Sequence, residues 1–388
     1  MQIVFWLSVF FVIYSYAIYP FILRLLVIGK KQNNVFYDEN ELPLVSVIIA
    51  AYNEESVIVE KLDSVLQSSY PHDKLEILIG SDASSDKTIP LVQEMSQRFP
   101  LIRCFDFSER RGKPSVVNDL VNHSKGEILI LTDANVIFSE NTIINLIRHF
   151  KKQSIGLVDT HMVNRGLKKE GISYQEKAYI SREVQIKHME SLIWGTMMGP
   201  FGGCYAVRRE DYSDVPPHSL VDDFYINMKV LEKGKKAVNE LESVVFEDVS
   251  NSMRDEFRRK VRISAGNFQN LGRFKHLLWP PWSGTGFAFL SHKVLRWFGP
   301  LFLILALVSN IFLAKHSVFY SLTLAGQLLL MFGIPFFDRI LKKINIHLSV
   351  VRLAVHFYAM NLALLVGLFK YLKGIRTGIW KPTPRNQQ

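Results

Sequence analysis

The 388-residue sequence contains little cysteine and lacks the glycine-rich motifs that bind phosphate groups. Its two cysteines, Cys104 and Cys204, lie far apart and match no metal-ligand spacing, so neither a disulfide framework nor a zinc site is indicated. The absence of a dinucleotide fingerprint and of a P-loop argues against NAD-dependent enzymes and P-loop ATPases. No nucleic-acid-binding motif is present, and we attribute the formal net charge of +10 to cytoplasmic flanks beside anionic lipids.

Charged residues are also absent from the stretch between Ile3 and Leu23. This stretch is long enough to cross a hydrocarbon core at about 1.5 Å per residue. It has no basic segment before it and no small-residue cleavage site after it, so we predict a retained anchor within residues 1–30. Arg24, Lys30 and Lys31 follow, and the positive-inside tendency places the next domain in the cytoplasm.

Long apolar runs return in residues 297–372. Phe298–Ala314 and Ser317–Phe337 are separated by little more than Lys315 and His316, which predicts a transmembrane hairpin. Residues 279–296 before this region combine prolines, aromatic residues and basic residues. We predict that they lie along the headgroup layer as an interfacial segment, with an ordinary linker as the alternative.

A third apolar stretch, Leu348–Leu372, contains polar residues that face protein or the interface rather than lipid. These residues are Arg352, His356 and Asn361. A third crossing would place the basic tail, residues 373–388, outside the cell, against the charge rule. The carboxyl-terminal region therefore contains two or three membrane helices, and the topology of the last one stays open.

Between these membrane segments, residues 43–275 alternate short Val/Ile/Leu runs with amphipathic stretches. This pattern indicates βαβ units on a parallel sheet. The predicted strands are Val45–Ala50, Leu75–Gly80, Ile102–Asp106 and Glu127–Leu131, and the predicted helices are Glu54–Ser68, Asp86–Phe99 and Ser115–Asn122. This order of elements describes a nucleotide-binding half-domain.

The tripeptide Asp133-Ala134-Asn135 directly follows the last of these apolar strands. A carboxylate at the carboxyl end of a buried strand points into the ligand crevice of an open α/β sheet. We therefore predict that this tripeptide holds a metal-bound diphosphate.

Four motifs in order carry a family resemblance: Val45–Glu54 (VSVIIAAYNE), Ile79–Thr88 (IGSDASSDKT), Arg111–Pro114 (RGKP) and Thr132–Asn135 (TDAN). Together they resemble inverting family 2 glycosyltransferases, of the membrane-integral bacterial type that makes cell-surface polysaccharides or glycolipids. The resemblance implies an α/β fold. It consists of a GT-A nucleotide-sugar-binding domain with a mostly parallel sheet and flanking helices, plus transmembrane helices at both ends.

The resemblance also implies roles at the nucleotide end of the site. Ala51, Tyr52 and Glu54 occupy the loop that cradles the base and ribose in family members. Asp82 resembles the carboxylate that accepts a hydrogen bond from uracil, which favours a UDP-sugar donor. Lys113 matches the family lysine at the diphosphate, where a cation neutralises leaving-group charge.

Asp133 and Asn135 stand where the family keeps Asp-X-Asp, whose oxygens bind Mg²⁺ or Mn²⁺ between the two phosphates. An amide replaces one of the two carboxylates in this sequence. Asn135 offers a carbonyl oxygen without charge, so we expect metal binding to depend heavily on the diphosphate itself.

Downstream residues resemble the acceptor side of the family site. Gly202, Gly203 and Cys204 lie in the segment found beneath the sugar and acceptor, where glycine lets the backbone approach a ligand closely. Asp222 and Asp223 are similar to an acidic pair whose second member is the general base. We expect Asp223 to be the base and Asp222 to orient a neighbour or cap a helix, and an exchange of these roles stays open.

Processive relatives carry Gln-X-X-Arg-Trp where this chain has Arg259, Arg262 and Ile263. The two arginines can still clasp a diphosphate through paired hydrogen bonds. Ile263 replaces the tryptophan that supports a growing sugar chain, which weakens the case for polymer synthesis.

The resemblance implies a metal-dependent enzyme of the cytoplasmic (inner) membrane, multi-pass, with its catalytic domain facing the cytoplasm. It moves one hexose or N-acetylhexosamine from a UDP-sugar to a lipid-linked or glycan acceptor and forms a β-linkage. Membrane lipids and other polysaccharide-assembly proteins are the candidate partners, and nucleic acid is not. The alternatives are a processive synthase of the chitin, poly-N-acetylglucosamine or hyaluronan kind, and an inactive nucleotide-sugar-binding scaffold subunit. A retained base argues against the scaffold.

Overall fold

Eight strands and fifteen α-helices lie in the residues that the computed structural model describes, namely 1–31, 37–38, 41–165, 173–248, 252–344, 346, 348–375 and 377–378. The strands are β1 (Val45–Ala51), β2 (Leu75–Asp82), β3 (Ile102–Phe107), β4 (Ile128–Asp133), β5 (Ile137–Phe138), β6 (Ile155–Arg165), β7 (Cys204–Arg208) and β8 (Lys236–Asp248). The helices are α1 (Gln2–Ile13), α2 (Tyr19–Leu26), α3 (Ile58–Leu66), α4 (Thr88–Arg98), α5 (Lys113–His123), α6 (Thr142–Ile147), α7 (Ser173–Trp194), α8 (Asp222–Glu232), α9 (Met253–Phe274), α10 (Gly284–Ala288), α11 (Leu295–Trp297), α12 (Gly299–Leu313), α13 (Val318–Leu328), α14 (Ile334–Lys343) and α15 (Ser349–Leu372).

The strands form one mixed sheet in the order β3-β2-β1-β4-β7-β6-β8-β5. The first four strands of the chain pair in parallel, as the alternation of apolar runs and helices predicts. β7 reverses direction and pairs antiparallel with both β4 and β6, and β5 pairs antiparallel with β8. The α/β fold class is therefore confirmed, and the sheet is mixed because its second half folds back on its first.

Helices cover both faces of the sheet and bury nearly continuous apolar strands, as expected where a parallel sheet is sandwiched. α3, α4 and α6 contribute to the hydrophobic core on one face. α5, α8 and α9 contribute to the core on the other face, together with Phe289 and Trp297. β2 and β4 run to Asp82 and Asp133, so both carboxylates stand at the carboxyl edge of the sheet.

Three helical segments are long and apolar enough to cross a membrane: Gln2–Leu26, Val318–Leu341 and Ser349–Leu372. α12 has only 15 residues. It is about 22 Å long, against a hydrocarbon core of about 30 Å. It reaches spanning length only when joined to Gly284–Trp297, from which it is bent by 58°. α12 alone is therefore too short for the first arm of the predicted hairpin, and the hairpin stays a prediction.

The predicted interfacial segment, residues 279–296, has two structural parts. Trp279 and Trp282 are largely exposed, which suits contact with headgroups. Phe289 and His292 are fully buried against the sheet domain and α7. Most of the predicted basic tail, including Arg376, Lys381 and Arg385, lies outside the described residues.

α15 packs along α9 of the sheet domain. Ser264 Oγ donates a hydrogen bond to the carbonyl oxygen of Leu364 at 2.8 Å, and the ring of Tyr371 stacks on Phe268 at 6.4 Å. Three of its polar residues are buried: Arg352, His356 and Asn361. The expectation that these three side chains face protein or the interface rather than lipid is confirmed.

Candidate active site

A cavity of about 940 Å³ opens at the carboxyl edge of β1, β2 and β4 and extends towards the membrane helices. It brings together the sequence-predicted residues Ala51, Tyr52, Glu54, Asp82, Lys113, Asp133, Asn135, Gly202, Gly203, Asp222, Asp223, Arg259 and Arg262. Cys204 is placed differently. It begins β7 with its side chain in the hydrophobic core, where burial raises the pKa of its thiol to about 12. Its thiol therefore supports the sheet beneath the cavity rather than a ligand.

The nucleotide end of the cavity is formed where β1 ends. The guanidinium of Arg110 lies over the ring of Tyr52, 3.6 Å from its centroid. Asn53 adopts a positive φ of 54°, and its side-chain oxygen accepts a hydrogen bond from the Ser85 amide at 2.8 Å. These contacts fix the loop after β1 against the loop after β2.

Asp82 holds the turn that presents Lys113. Its carboxylate accepts hydrogen bonds from the backbone N–H groups of Arg111 at 2.6 Å and Gly112 at 3.0 Å. Gly112 has a φ of +89°, a left-handed conformation that favours glycine. A base contacting Asp82 would share a carboxylate that already orders this turn, and the uracil contact stays a prediction.

Lys113 lies at the centre of the site, at the start of α5. Its Nζ donates to Asp133 Oδ1 at 2.7 Å and lies 3.7 Å from Asp222 Oδ2. Burial alone would lower the pKa of Lys113, but the two carboxylates raise it above its ordinary value. The lysine is therefore a permanent cation at the predicted diphosphate position.

Asp133 and Asn135 offer one carboxylate and one amide to this region. The Asp133 side chain is 30% exposed to the cavity. The Asn135 amide nitrogen is buried and has no hydrogen-bond partner within the described residues. Among those residues, no group of three or more His, Cys, Asp or Glu side chains could hold a metal. The oxygen donors suit Mg²⁺ or Mn²⁺ only if a diphosphate supplies further ligands.

Asp223 lies in the first turn of α8 with a strongly perturbed carboxyl group. Burial raises its pKa, and so does the negative charge of Asp222, to about 7. The Phe224 amide donates to Asp223 Oδ1 at 2.8 Å, which opposes the rise together with the Lys113 charge. A carboxylate whose pKa lies near neutral pH suits a general base.

The glycine loop before β7 approaches Asp223 directly. Gly202 has a φ of +82°, and a Cβ there would lie 2.5 Å from Asp223 Oδ2. A Cβ at Gly203 would collide with Met162. Any side chain at Gly202 would therefore displace the carboxyl group of Asp223, and the close approach of this loop to a ligand stays a prediction.

Two arginines of α9, Arg259 and Arg262, differ in their surroundings. Arg262 Nη1 donates to the carbonyl of Leu220 at 3.1 Å. Burial and the Arg259 charge lower its pKa to about 10, against the raising effect of Asp222 and Asp223. Arg259 instead pairs with Glu256 at 3.3 Å. Arg262 is therefore the arginine whose charge acts on the aspartate pair.

Comparison with known proteins identifies the domain that carries this site. Residues 46–215 match the family model described as Glycosyl transferase family 2. The chain contains a family 2 glycosyl transferase domain. This match covers β1 to β7 and the loops with Asp82, Lys113 and Asp133, and it ends before Asp223.

The curated relatives that this chain matches are distant, and each of them matches over part of its length. The β-monoglucosyldiacylglycerol synthase of Trichormus variabilis is 24% identical over 40% of this chain and 34% of its own. The probable glycosyltransferase YdaM of Bacillus subtilis is 25% identical over 58% of this chain and 56% of its own. The poly-β-1,6-N-acetyl-D-glucosamine synthase of Staphylococcus epidermidis is 30% identical over 28% of this chain and 26% of its own. The chain thus spans about a quarter to just over half of these relatives.

A solved structure shares the architecture of nearly the whole chain. It is the mannosyltransferase PcManGT from Pyrobaculum calidifontis in complex with GDP-Man and Mn²⁺. The similarity has a TM-score of 0.74 and covers 96% of this chain and 98% of that one, at 22% sequence identity. The likeness therefore extends beyond the sheet domain to the helices at both ends.

Sequence reasoning missed a buried ion pair beside the glycine loop of the candidate site. Lys187 Nζ lies 2.5 Å from Asp159 Oδ2 and 3.4 Å from the ring centroid of Phe201. A second buried carboxylate, Glu190, accepts a hydrogen bond from the Met198 amide at 3.0 Å. The sequence does show charged residues along α7. Without the fold, however, nothing in the sequence assigns them to the site.

Sequence reasoning also missed the walls that the membrane-associated helices give to the cavity. These residues include Tyr16, Trp297, Phe357, Met360 and Leu364. They look like ordinary membrane-helix residues in the sequence. The candidate site is therefore completed by helices far from its motifs.

Proposed function

We propose that this protein is an inverting, metal-dependent glycosyltransferase that moves a single hexose or N-acetylhexosamine from a UDP-sugar to a hydroxyl group at the membrane surface. The observation that carries the proposal is the position of Asp223. Its buried carboxyl group, with a pKa of about 7, shares one cavity with the lysine and carboxylate at the predicted diphosphate position.

The donor half of the proposed reaction uses the edge of the sheet. The nucleotide lies against Ala51, Tyr52 and Asp82, and the diphosphate lies beside Lys113 and Arg262. Asp133 and Asn135 would hold a divalent cation together with the diphosphate, and a bound cation would supply charge stabilisation for the leaving group. The Mn²⁺ and GDP-Man named for PcManGT support a metal and a nucleotide sugar, and GDP is the alternative nucleotide to test.

The acceptor half uses the aspartate pair. Asp223 accepts the proton of the acceptor hydroxyl while the oxygen of that hydroxyl attacks the anomeric carbon. The bond from that carbon to the diphosphate breaks on the opposite face, so the configuration inverts and a β-linkage forms. Asp222 raises the pKa of Asp223 and lies close to Lys113, which links the base to the leaving-group side.

We further propose a multi-pass protein of the cytoplasmic membrane, divided into residues 1–30, 43–275, 279–296 and 297–372, with residues 373–388 as a basic tail. α9 carries several cations and cannot lie in hydrocarbon: Arg258, Arg259, Lys260, Arg262 and Arg273. α15 lies along this helix from Leu364 to Tyr371, and the His356 ring approaches Glu176 of α7 at 3.7 Å. We therefore place α15 along the membrane surface, which leaves the tail on the cytoplasmic side.

Single transfer is favoured over polymer synthesis by Ile263. Its side chain lines the cavity at the position where processive relatives carry tryptophan. An aliphatic residue gives no flat surface on which a sugar ring can stack. The perturbed carboxyl of Asp223 also argues against a purely binding scaffold, which needs no general base.

The testing experiment measures products from detergent-solubilised protein. The protein is incubated with Mg²⁺ or Mn²⁺ and a panel of UDP- and GDP-sugars, with and without membrane lipid extract. We expect metal-dependent UDP release together with a product one sugar heavier than its acceptor. A ladder of masses would establish a processive synthase instead, and donor binding without release in every mixture would contradict the transferase.

A further inference from the structure

The cavity extends well past the aspartate pair, and this extension rests on the same site as the proposed function. Beyond Asp223 it runs between α7, α9 and α15 to the amino-terminal membrane helix. Its total volume of about 940 Å³ is near the upper end for small-molecule pockets, which are typically about 300–1,000 Å³. A nucleotide sugar bound at the sheet edge leaves this second half for another molecule.

The far end of the cavity opens between three helices. Leu353 of α15 and Tyr179 of α7 both line the cavity, yet they are 56% and 40% exposed. Tyr16 stands opposite, in a π-helical turn between α1 and α2, with its ring 5.3 Å from that of Phe357. Arg182 is also exposed there and donates to the Tyr16 carbonyl. We call this opening, formed by Tyr16, Tyr179, Arg182, Leu353 and Phe357, the lateral mouth.

The lateral mouth lies beside apolar surface that a membrane would cover. Tyr16 lies within the apolar segment Gln2–Leu26. α15 carries a series of large exposed apolar side chains: Val350, Leu353, Leu362, Phe369 and Leu372. Contiguous exposed apolar surface marks a membrane or protein contact. A molecule dissolved in the bilayer can therefore reach the mouth without crossing bulk water.

The wall that α15 gives to the cavity is mostly apolar. Leu353, Phe357, Met360 and Leu364 line the cavity at spacings of four, three and four residues, which places them on one face of α15, and the polar residues His356 and Asn361 of the same helix also line it. α9 contributes the polar residues Ser264 and Asn267 to the lining. An apolar helix face beside polar groups suits an amphipathic molecule. A glycan would have to bury hydroxyl groups against the apolar face of α15, which costs free energy.

Most charges of this half are arranged in pairs, whereas Arg182 at the mouth donates to the Tyr16 carbonyl. Arg296 contacts Glu183, Lys260 lies 3.0 Å from Glu176, and Arg259 lies 3.3 Å from Glu256. Paired charges create less demand for an anionic headgroup than isolated cations do. The aspartates would also repel an anion approaching the reaction centre.

We propose that the acceptor is a neutral membrane lipid with a free hydroxyl on its head, and that it enters the cavity sideways through the lateral mouth. The hydroxyl lies at Asp223 and the apolar chain lies along the inner face of α15. The site therefore selects its acceptor partly by requiring a chain that reaches from the aspartates to the bilayer.

The first test uses the intact wild-type protein in phosphatidylglycerol vesicles that contain diacylglycerol with a diazirine on one acyl chain. Photolysis followed by peptide mass spectrometry is expected to label peptides at Tyr16, Phe357 and Met360, and unlabelled diacylglycerol is expected to reduce this labelling at least fivefold. Labelling confined to outward residues such as Leu362, or unaffected by competitor, would overturn the proposal.

The second test fills the cavity by substitution. Met360→Trp is expected to lower transfer to lipid at least tenfold while nucleotide-sugar binding changes less than twofold. Leu362→Trp, on the exposed side of the same helix, is the matched control and should alter transfer less than twofold. Transfer that depends equally on the two positions, or that occurs only on a soluble glycan or a lipid phosphate, contradicts the proposal.

These tests distinguish failure of the lipid acceptor from failure of the proposed function. Sugar transfer to a glycan with no inward lipid labelling would remove the lipid acceptor and leave the glycosyltransferase. Competed inward labelling without sugar transfer from any donor would leave the lipid site and remove the proposed function.

Discussion

The two ends of the cavity are built and charged in different ways. The donor end is formed by loops after β1, β2 and β4, and three carboxylates lie around Lys113: Asp133, Asp222 and Asp223. The membrane end is formed by helices from distant parts of the chain, with apolar side chains of α15 in its wall and with most of its acids paired with bases. The excess of acid at the donor end suits a diphosphate bound together with a divalent cation. The membrane end suits an uncharged, amphipathic partner.

We infer from this difference that the donor end carries out the reaction and that the membrane end selects the acceptor. The groups to which we assign proton transfer and charge stabilisation are concentrated at the carboxyl edge of the sheet: Asp133 ends β4, and Lys113 and Asp223 lie in the first turns of α5 and α8. The proposed acceptor side is lined by helices from distant parts of the chain. Substitutions at the donor end should therefore change the rate with every acceptor, whereas those at the membrane end should change which acceptor is used.

The largest effect is expected for Asp223→Asn. Loss of a general base typically lowers turnover by about 10²- to 10⁴-fold. Donor binding should persist, because the diphosphate is assigned to Lys113 and Arg262. Turnover and donor affinity measured side by side check this, with the exposed Asp73→Asn as control. Near-normal turnover in the variant would show that another group removes the proton.

A smaller effect is expected for Lys113→Gln, which removes the cation between two carboxylates. Truncating one partner of a buried charge pair costs about 2 kcal/mol or more, so donor binding should weaken by about 30-fold or more. Titration with the nucleotide sugar measures the change. Lys229→Gln, which breaks a surface pair with Glu232, provides the control and should leave donor affinity unchanged. Equal donor affinities in the two variants would show that Lys113 does not bind the diphosphate.

Gly202→Ala tests the contact between the glycine loop and the base. Strain at positive φ costs about 1–2 kcal/mol for a residue with a Cβ, and the contact with Asp223 adds to it. Gly234→Ala is the matched control, because Gly234 has a φ of +73° but open space around its Cβ position. Thermal unfolding and turnover of both variants are compared. Only Gly202→Ala should lose turnover, and equal losses would show that the close approach has no catalytic meaning.

The smallest effect is expected for Asp222→Asn. The negative charge of Asp222 helps raise the pKa of Asp223, so its removal should move the acidic limb of the activity profile to lower pH. Turnover at pH 8 should fall less than tenfold. A loss of turnover as large as that of Asp223→Asn would show that Asp222, rather than Asp223, is the base.

The donor end could be predicted from sequence because its residues follow strands directly. The apolar runs before Asp82 and Asp133 identify β2 and β4, and the carboxyl edge of a parallel sheet then brings the two aspartates together. The polar residues in the last apolar stretch also predicted a protein-facing side of α15. In both cases a short local pattern determined the position.

The membrane end could not be predicted, because its residues meet only through tertiary packing. Met360 and Tyr16 are more than 300 residues apart, and nothing local indicates that both line one cavity. Trp297 was assigned to a membrane segment, yet it packs against Phe224 of the sheet domain. Cys204 was assigned to the sugar pocket because of its glycine neighbours, although the alternation of side chains along β7 directs it into the core.

The most direct test of the account is the pH dependence of kcat/KM for sugar transfer by the wild-type protein and by Asp223→Asn. Because Asp223 must be deprotonated to act as base, wild-type activity should fall about tenfold per unit below a midpoint near pH 7. The residual activity of the variant should lack this limb. The same limb in both proteins would place the titrating group elsewhere and contradict the assignment of Asp223 as the general base.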